Sequence, residues 1–298
     1  MSTIIREIKL TEGNMTSHKL ITRKILLSDI KYFDKNERSS HLSFSTVFLW
    51  GSVYGYNCTE INSALFVYYR YGGKYYSFPP FGEYGREETE LFREHLGEDF
   101  SFSPVPEGAV YDALSEFCTG FTEMRDNFDY IYKTEDLISL PGSRYHAKRN
   151  HIAKFLSLYG NDFEYVKITE ENLDILKSAA DRLYSLDPSL DREKRAIDLA
   201  IEHFSFLSLR GAVIVCKDIP IAYTIGEKIG DEALIHFEKG DRAFEGVYPF
   251  ICREFVKREF SDTLFVNREE DMGIEGLRKS KLSYHPDHFI KAFIAYPE

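Results

Sequence analysis

The densest group of chemistry-bearing side chains lies in Asn267–Pro286, which reads NREEDMGIEGLRKSKLSYHP. Four charges arrive together, Arg268, Glu269, Glu270 and Asp271, and Arg278, Lys279 and Lys281 follow. Carboxylates that accept a proton beside cations that hold an anion are the raw material of general acid–base chemistry on a charged ligand. Arg278 and Lys281 are three apart on a predicted short helix, so both point the same way. Asp271 can cap that helix, Ile274 and Leu277 form an apolar i, i+3 pair, and Glu275 and Lys279 an i, i+4 ion pair. The competing reading of the same pattern is a solvated, salt-bridged connection.

The stretch follows Thr263–Val266, an apolar run that reads as a strand buried on both faces, and charge directly after a core strand suits a site on a rigid scaffold. Before it, Gly211–Cys216, Ile219–Gly226 and Ala233–Phe237 read as three antiparallel strands, the first two joined by a turn at Lys217–Asp218. A helix over Gly246–Phe260 turns Val247, Phe250, Ile251 and Phe255 inward, with Pro249 in its first turn. Upstream, Phe163–Ile168 reads as a strand, followed by helices over 171–184 and 191–207. Another helix carries the stripe Ile152, Phe155, Leu156 and Tyr159 and ends at Gly160. Lys148 falls on that stripe one turn earlier. A lysine there either snorkels out of the helix end or reaches an anion at the core edge.

The first half is a poorer version of the same order. Ser28 opens a helix to about Arg38, and Phe44–Trp50 is an apolar aromatic core segment. Asn62–Arg70 and Lys74–Phe78 form a hairpin across Gly72–Gly73, and Arg86–His95 is an acidic helix. Phe128–Tyr132 is a strand leading to a turn at 134–138, and His288–Tyr296 is the last strand. The expectation is an α/β (α+β) chain of two related halves, 1–135 and 136–298.

A length of 298 residues, 43% hydrophobic and 29% charged, describes a folded protein with room for two cores. The net charge of −11 disfavours a general nucleic-acid coat, because non-specific binding rests on Lys and Arg neutralising phosphates, while a local basic patch can still hold a phosphorylated ligand. The first twenty residues carry little pattern, Met1–Arg6 lacks the apolar core of a signal peptide, and no run is long enough for a transmembrane segment. Cys58, Cys118, Cys216 and Cys252 are scattered, as expected of buried thiols in a reducing cytoplasm, with neither disulfides nor zinc.

Between the third strand and the helix at Gly246 lies Glu238–Gly246, EKGDRAFEG. Such a loop can aim N–H groups and the positive helix end at a phosphate, with glycine allowing close approach. It contains neither a P-loop nor a full GxGxxG.

Asp129–Tyr132, Leu137–Gly142, Lys148–Phe155 and above all Asn267–Pro286 resemble the bacterial family related to the C-terminal domain of phosphatidylglycerol lysyltransferase. The resemblance spans nearly the whole chain. It implies tandem GNAT-type acyltransferase folds, with mixed, mostly antiparallel sheets flanked by helices, similar to the peptidoglycan-bridge aminoacyltransferases. It further implies transfer of an acyl or aminoacyl group to an amine or hydroxyl in a cleft between two lobes. In such folds the segment Arg242–Gly246 holds the donor's pyrophosphate; its glycines depart from the acetyl-CoA signature, so aminoacyl-tRNA stands beside acyl-CoA as possible donor. No metal is expected, and no nucleic acid other than tRNA.

On this reading Glu269 or Asp271 is the base and Tyr284 the proton donor to the leaving group. Lys148, Arg242, Gly246, Asn267, Arg268 and Lys281 bind the donor or its phosphate. The alternative is a non-catalytic protein whose same residues sense a phosphorylated or CoA-type small molecule. Simpler roles compete residue by residue: Asp271 as N-cap, and Tyr284 as a core aromatic. His285 and His288 read as a strand-entry turn rather than a metal pair, and His146 and His151, five apart, share no helix face. Tyr68–Tyr71 and Tyr75–Tyr76 suit sheet packing better than nucleobase stacking.

Overall fold

A computed structural model describes residues 20–34 and 36–298, so the reading of the first nineteen residues lies outside the described part. The chain divides into two compact units, one of the residues up to Phe128 together with Ile290–Glu298, the other Asp129–Phe289.

The first unit contains helix α1 (Phe44–Tyr54), strands β1 (Asn57–Ile61), β2 (Ala64–Tyr71), β3 (Lys74–Ser77) and β4 (Phe81–Gly82), helix α2 (Arg86–Leu96), β5 (Phe100–Pro106), α3 (Ala109–Ser115) and β6 (Cys118–Glu123). The second runs through β7 (Asp129–Lys133), α4 (Thr134–Ser139), α5 (His146–Tyr159), β8 (Phe163–Ile168), α6 (Leu173–Ser185), α7 (Asp191–Glu202), β9 (Arg210–Cys216), β10 (Ile219–Ile229), β11 (Glu232–Gly240), α8 (Val247–Glu259), β12 (Phe265–Asn267), α9 (Glu275–Leu282) and β13 (His288–Ile290). Strand β14 (Ala292–Pro297) then returns to the first unit.

The first sheet has the order β1-β2-β3-β5-β14-β6, with β4 on β2. Among the described residues its pairings are antiparallel except β3 with β5. Gly72 and Gly73 both take positive φ, as a two-residue hairpin between right-twisted strands requires. The core is aromatic: Phe66 stacks on Phe92 at 4.4 Å, and Phe100 meets Phe92 edge-on at 4.8 Å. The second sheet has the order β13-β7-β12-β11-β10-β9-β8, and β11 with β12 is its parallel pair. Helices α6 and α8 cover its opposite faces. Ala222 lies against Val247's neighbour Gly240 on the α8 side, while the next residue, Tyr223, bonds Tyr184 of α6. Helix α5 packs on α8 through Phe155, which is fully buried and stacks on Phe250 at 4.5 Å.

Several expectations need correction. The division falls before Asp129 rather than near residue 135, because β7 pairs with β12 in the second sheet. The closing strand is two strands in two sheets, β13 and β14, parted at Lys291. Residues 100–123, to which the sequence reading assigns no element, form β5, α3 and β6. The expected turn at 134–138 is α4, the expected helix from Ser28 is a single 3-10 segment (Leu27–Tyr32), and the helix begun at Asp191 stops at Glu202.

Phe155→Ala should cost about 3–5 kcal/mol, the usual penalty for emptying a buried aromatic site. Urea denaturation should show the midpoint fall accordingly, and an unchanged midpoint would contradict the α5–α8 packing.

Candidate functional site

Residues 268–271 form a turn at the end of β12, and its shape is set by buried polar groups. Lys281, 7% exposed, points its ammonium at this turn and donates to the carbonyl oxygens of Arg268, Glu269 (3.0 Å) and Glu270. Asn267, fully buried, accepts from the Glu269 N–H at 2.8 Å and donates to Asp129 at 3.1 Å. Asp271 accepts from the Tyr130 hydroxyl (2.6 Å), from Arg278 through Nε (2.8 Å) and Nη2 (2.7 Å), and from the Gly273 N–H (2.9 Å). Glu269 and Met272 hold left-handed backbone, with φ of 57° and 52°, a conformation uncommon for such residues.

These bonds revise four expectations. Arg278 and Lys281 do point the same way, but toward their own turn, so Lys281 has no donor left for a ligand phosphate. Asn267 is likewise fully engaged within the sheet. Asp271 does not cap α9, whose N-cap is Ile274; Ile274 is itself 53% exposed rather than packed inward. Nor does Asp271 suit the role of base. Although burial opposes its charge, Arg278, Tyr130 and the Gly273 N–H hold its carboxyl well below the usual carboxylate range.

The turn presents Arg268 and Glu269, successive residues, to different neighbours. Arg268 bonds Glu238 at 2.9 Å through Nη2, whereas its Nη1 is buried with no hydrogen-bond partner. Its guanidinium lies 4.9 Å from the centroid of the Tyr284 ring. The Lys148 ammonium lies 3.7 Å from the same centroid. Lys148 is half-buried and has no hydrogen bond or carboxylate partner among the described residues. Burial, then the charge of Arg268, lowers it to about 8. Tyr284 is 4% exposed; its carbonyl accepts from the Tyr145 hydroxyl, while its own hydroxyl has no partner among the described residues. Burial keeps that hydroxyl protonated, far above its ordinary range. Cys252 of α8 closes the group, its thiol pushed up to about 12 by burial.

Glu269 instead meets His236 of β11. The imidazole Nδ1 lies 3.0 Å from Glu269 and Nε2 lies 3.0 Å from Glu227 of β10. Burial opposes the charge on His236, but the two carboxylates outweigh it and raise the ring to about 10. At neutral pH both ring N–H groups therefore donate. Glu269 is itself raised by burial, and 20% of its side chain remains exposed.

The position of His236 depends on a β-bulge. Ile225 pairs with Phe237 but Gly226 pairs with Ile235, leaving His236 as the extra residue. A Cβ on Gly226 would stand 2.5 Å from the Leu234 carbonyl, so the bulge requires glycine there. Past the bulge the strand changes faces. Ile235 packs in the core with Cys252, and Glu238, three residues on, acts on Cys252 as well. Sequence reading missed Glu227, His236, Glu238 and Cys252. A histidine inside the apolar run Ala233–Phe237 was the one signal available.

Arg242 is exposed in the 241–246 loop and makes no hydrogen bond or ion pair among the described residues. Gly246 has φ of 83°, and a Cβ would stand 2.1 Å from the His151 carbonyl, so packing of α8 against α5 explains this glycine without a ligand. The loop's N–H groups at Ala243, Phe244 and Val247 already bond Asp241 and Phe244.

Asp271→Asn should destabilise the protein by about 2–4 kcal/mol at neutral pH, since it strips the charge from a buried network and leaves Arg278 uncompensated. Because the folded carboxyl titrates below its unfolded value, this stabilisation is complete above about pH 4 and is lost as pH falls further. Denaturant midpoints of the two proteins should thus converge in acid; a gap that widens there would refute the charge pairing.

Comparison with known proteins bears on this arrangement. A conserved protein from Bacteroides thetaiotaomicron superposes with a TM-score of 0.81 at 28% identity, covering 93% of this chain and 99% of that one. The C-terminal domain of a putative lysylphosphatidylglycerol synthetase from Agrobacterium fabrum superposes with a TM-score of 0.61 at 13% identity, covering 91% and 92%. An uncharacterised protein of Mycoplasmoides gallisepticum is 25% identical over 173 residues, 56% of this chain, and the match spans about half (55%) of that relative's length. The fold, two mostly antiparallel sheets flanked by helices, is shared with that synthetase domain. Among the described residues no helix is long and apolar enough to cross a membrane. Residues 33–296 match the family described as phosphatidylglycerol lysyltransferase, C-terminal, and the chain belongs to that family.

Proposed function

We propose that the second unit carries an acyl- or aminoacyl-transfer site, moving the group from an activated donor to an amine or hydroxyl. The observation that carries this reading is the set of donors around Tyr284 with no acceptor: Arg268 Nη1, the Tyr284 hydroxyl and the Lys148 ammonium. Arg268 Nη1 is buried, and a buried donor without a partner costs free energy that an oxygen developing negative charge would relieve. A carbonyl oxygen becoming an oxyanion is such a group. Family membership and the transferase-like fold support the same assignment.

In this scheme Arg268 and Lys148 stabilise the oxyanion, and the protonated Tyr284 hydroxyl supplies hydrogen to the departing oxygen or sulfur. Glu269 is the base that takes a proton from the attacking nucleophile. His236, fixed by Glu227, orients its carboxylate. Arg242, the exposed cation of the 241–246 loop, is the remaining candidate for a donor phosphate. Asp271, Asn267 and Lys281 shape the turn, and Gly246 lets α8 pack on α5. Aminoacyl-tRNA and acyl-CoA are the donor classes to test.

Thermal-shift measurements with a panel of aminoacyl-tRNAs and CoA thioesters should reveal a stabilising donor, because a ligand that binds the folded state raises its stability. With that donor Tyr284→Phe should lower kcat by about 100-fold while binding persists, as expected for loss of a proton donor. Binding without turnover would favour the sensing role, and no binding by any donor would overturn the reading. The interaction with Lys148 as a cation should weaken as pH rises through about 8, where its proton is lost. A donor affinity that strengthens across that range would contradict the role of Lys148.

A further inference from the structure

Lys148 combines features that rarely coincide in one lysine. Its ammonium rests on an aromatic face 3.7 Å away, it is half-buried rather than enclosed, and no carboxylate among the described residues pairs with it. A second cation, Arg268, lies 4.9 Å from the same centroid. Glu238, the carboxylate whose charge acts on Lys148, is already bonded to Arg268 at 2.9 Å. Other lysines of this unit differ. Lys281 is held by three carbonyls, and Lys167, Lys177, Lys194 and Lys228 each meet a carboxylate within 3.4 Å.

From this geometry we infer that Lys148 is an acylation site: its ε-amine takes an acyl group from a thioester or reactive ester and becomes a stable amide. A desolvated amine beside another cation carries its lone pair free more of the time than a surface lysine does. The groups that face it are Arg268 past β12, Glu238 of β11, Cys252 of α8 and Tyr284 past α9. Burial and Arg268 favour the neutral amine, whereas the Glu238 carboxylate opposes it. In the reaction the nitrogen attacks the carbonyl carbon, a C–N bond forms and the C–S or C–O bond breaks. The departing thiolate or alkoxide takes up the proton released from nitrogen. The product is neutral, so modification removes one of the two cations beside Tyr284 and disables the anion-holding group.

The test uses the intact protein with limiting N-hydroxysuccinimidyl acetate, and separately with the thioester S-acetyl-N-acetylcysteamine, reading each lysine's modification rate by peptide mass spectrometry. Lys148 should react at least about tenfold faster than the median lysine at pH 7.5, as a lysine activated by burial and a neighbouring cation does. Its rate should level off above about pH 8, while surface lysines continue to gain beyond pH 10. Arg268→Gln should slow Lys148 toward the median. If that variant does not fold, the pH profile of the unaltered protein decides. A Lys148 rate at or below the median, or one still climbing past pH 10, overturns the proposal. Labelling needs no turnover, so its failure would leave the transferase reading standing, and absent turnover would leave this one standing.

Discussion

A buried ammonium must find acceptors or lose its charge, and Lys281 finds three in consecutive carbonyls of a single turn. Those carbonyls belong to the segment between β12 and α9, where the Glu269 carbonyl also accepts from the Tyr130 N–H at 3.2 Å. Lysine and turn therefore fix each other. Asn267 from one side and Asp271 with Arg278 and Tyr130 from the other complete the frame. Successive residues of the framed turn, Arg268 and Glu269, then reach different partners with little freedom to exchange them.

That separation gives the site two chemically distinct flanks. On one, cations and a protonated tyrosine gather around a buried donor with nothing to bond. On the other, an imidazolium lies between two carboxylates, one of which remains partly open to solvent. Environment sets the protonation state in each case. Burial drives the Lys148 amine toward neutrality, whereas two carboxylates hold His236 charged against the same effect. A transferase needs a proton acceptor for the nucleophile kept apart from the charge that steadies the carbonyl oxygen, and the alternation of one strand end supplies the separation. The same loss of a proton that would weaken Lys148 as a cation would make it a nucleophile. The positions of donor binding and acylation on the pH axis are thus two aspects of one titration.

Periodicity made the helices of the second unit legible, because α5, α6 and α8 each bury one stripe, and the Gly72–Gly73 and Lys217–Asp218 hairpins declare themselves by turn chemistry. The dense charge after β12 was legible as such, and Lys148 as anomalous on its stripe. The roles within that stretch were not. From spacing alone, a lysine aimed at a ligand and a lysine aimed at its own backbone look identical, which is why Lys281 and Asn267 read as binding residues. Gly246 read as a ligand contact because the sequence gives no sign of the His151 carbonyl beside it.

By itself, the chain's sequence determined its class, its element types over most of the length and its family. Those properties are local, or carried by motifs in fixed order. Tertiary structure alone decided that β14 belongs to the first sheet and β7 to the second, that a bulge at His236 brings Glu238 to the face of Cys252, and which cations keep a free donor. Each of those facts depends on pairing between residues far apart in the chain, and a one-residue shift in a strand reverses every side chain beyond it.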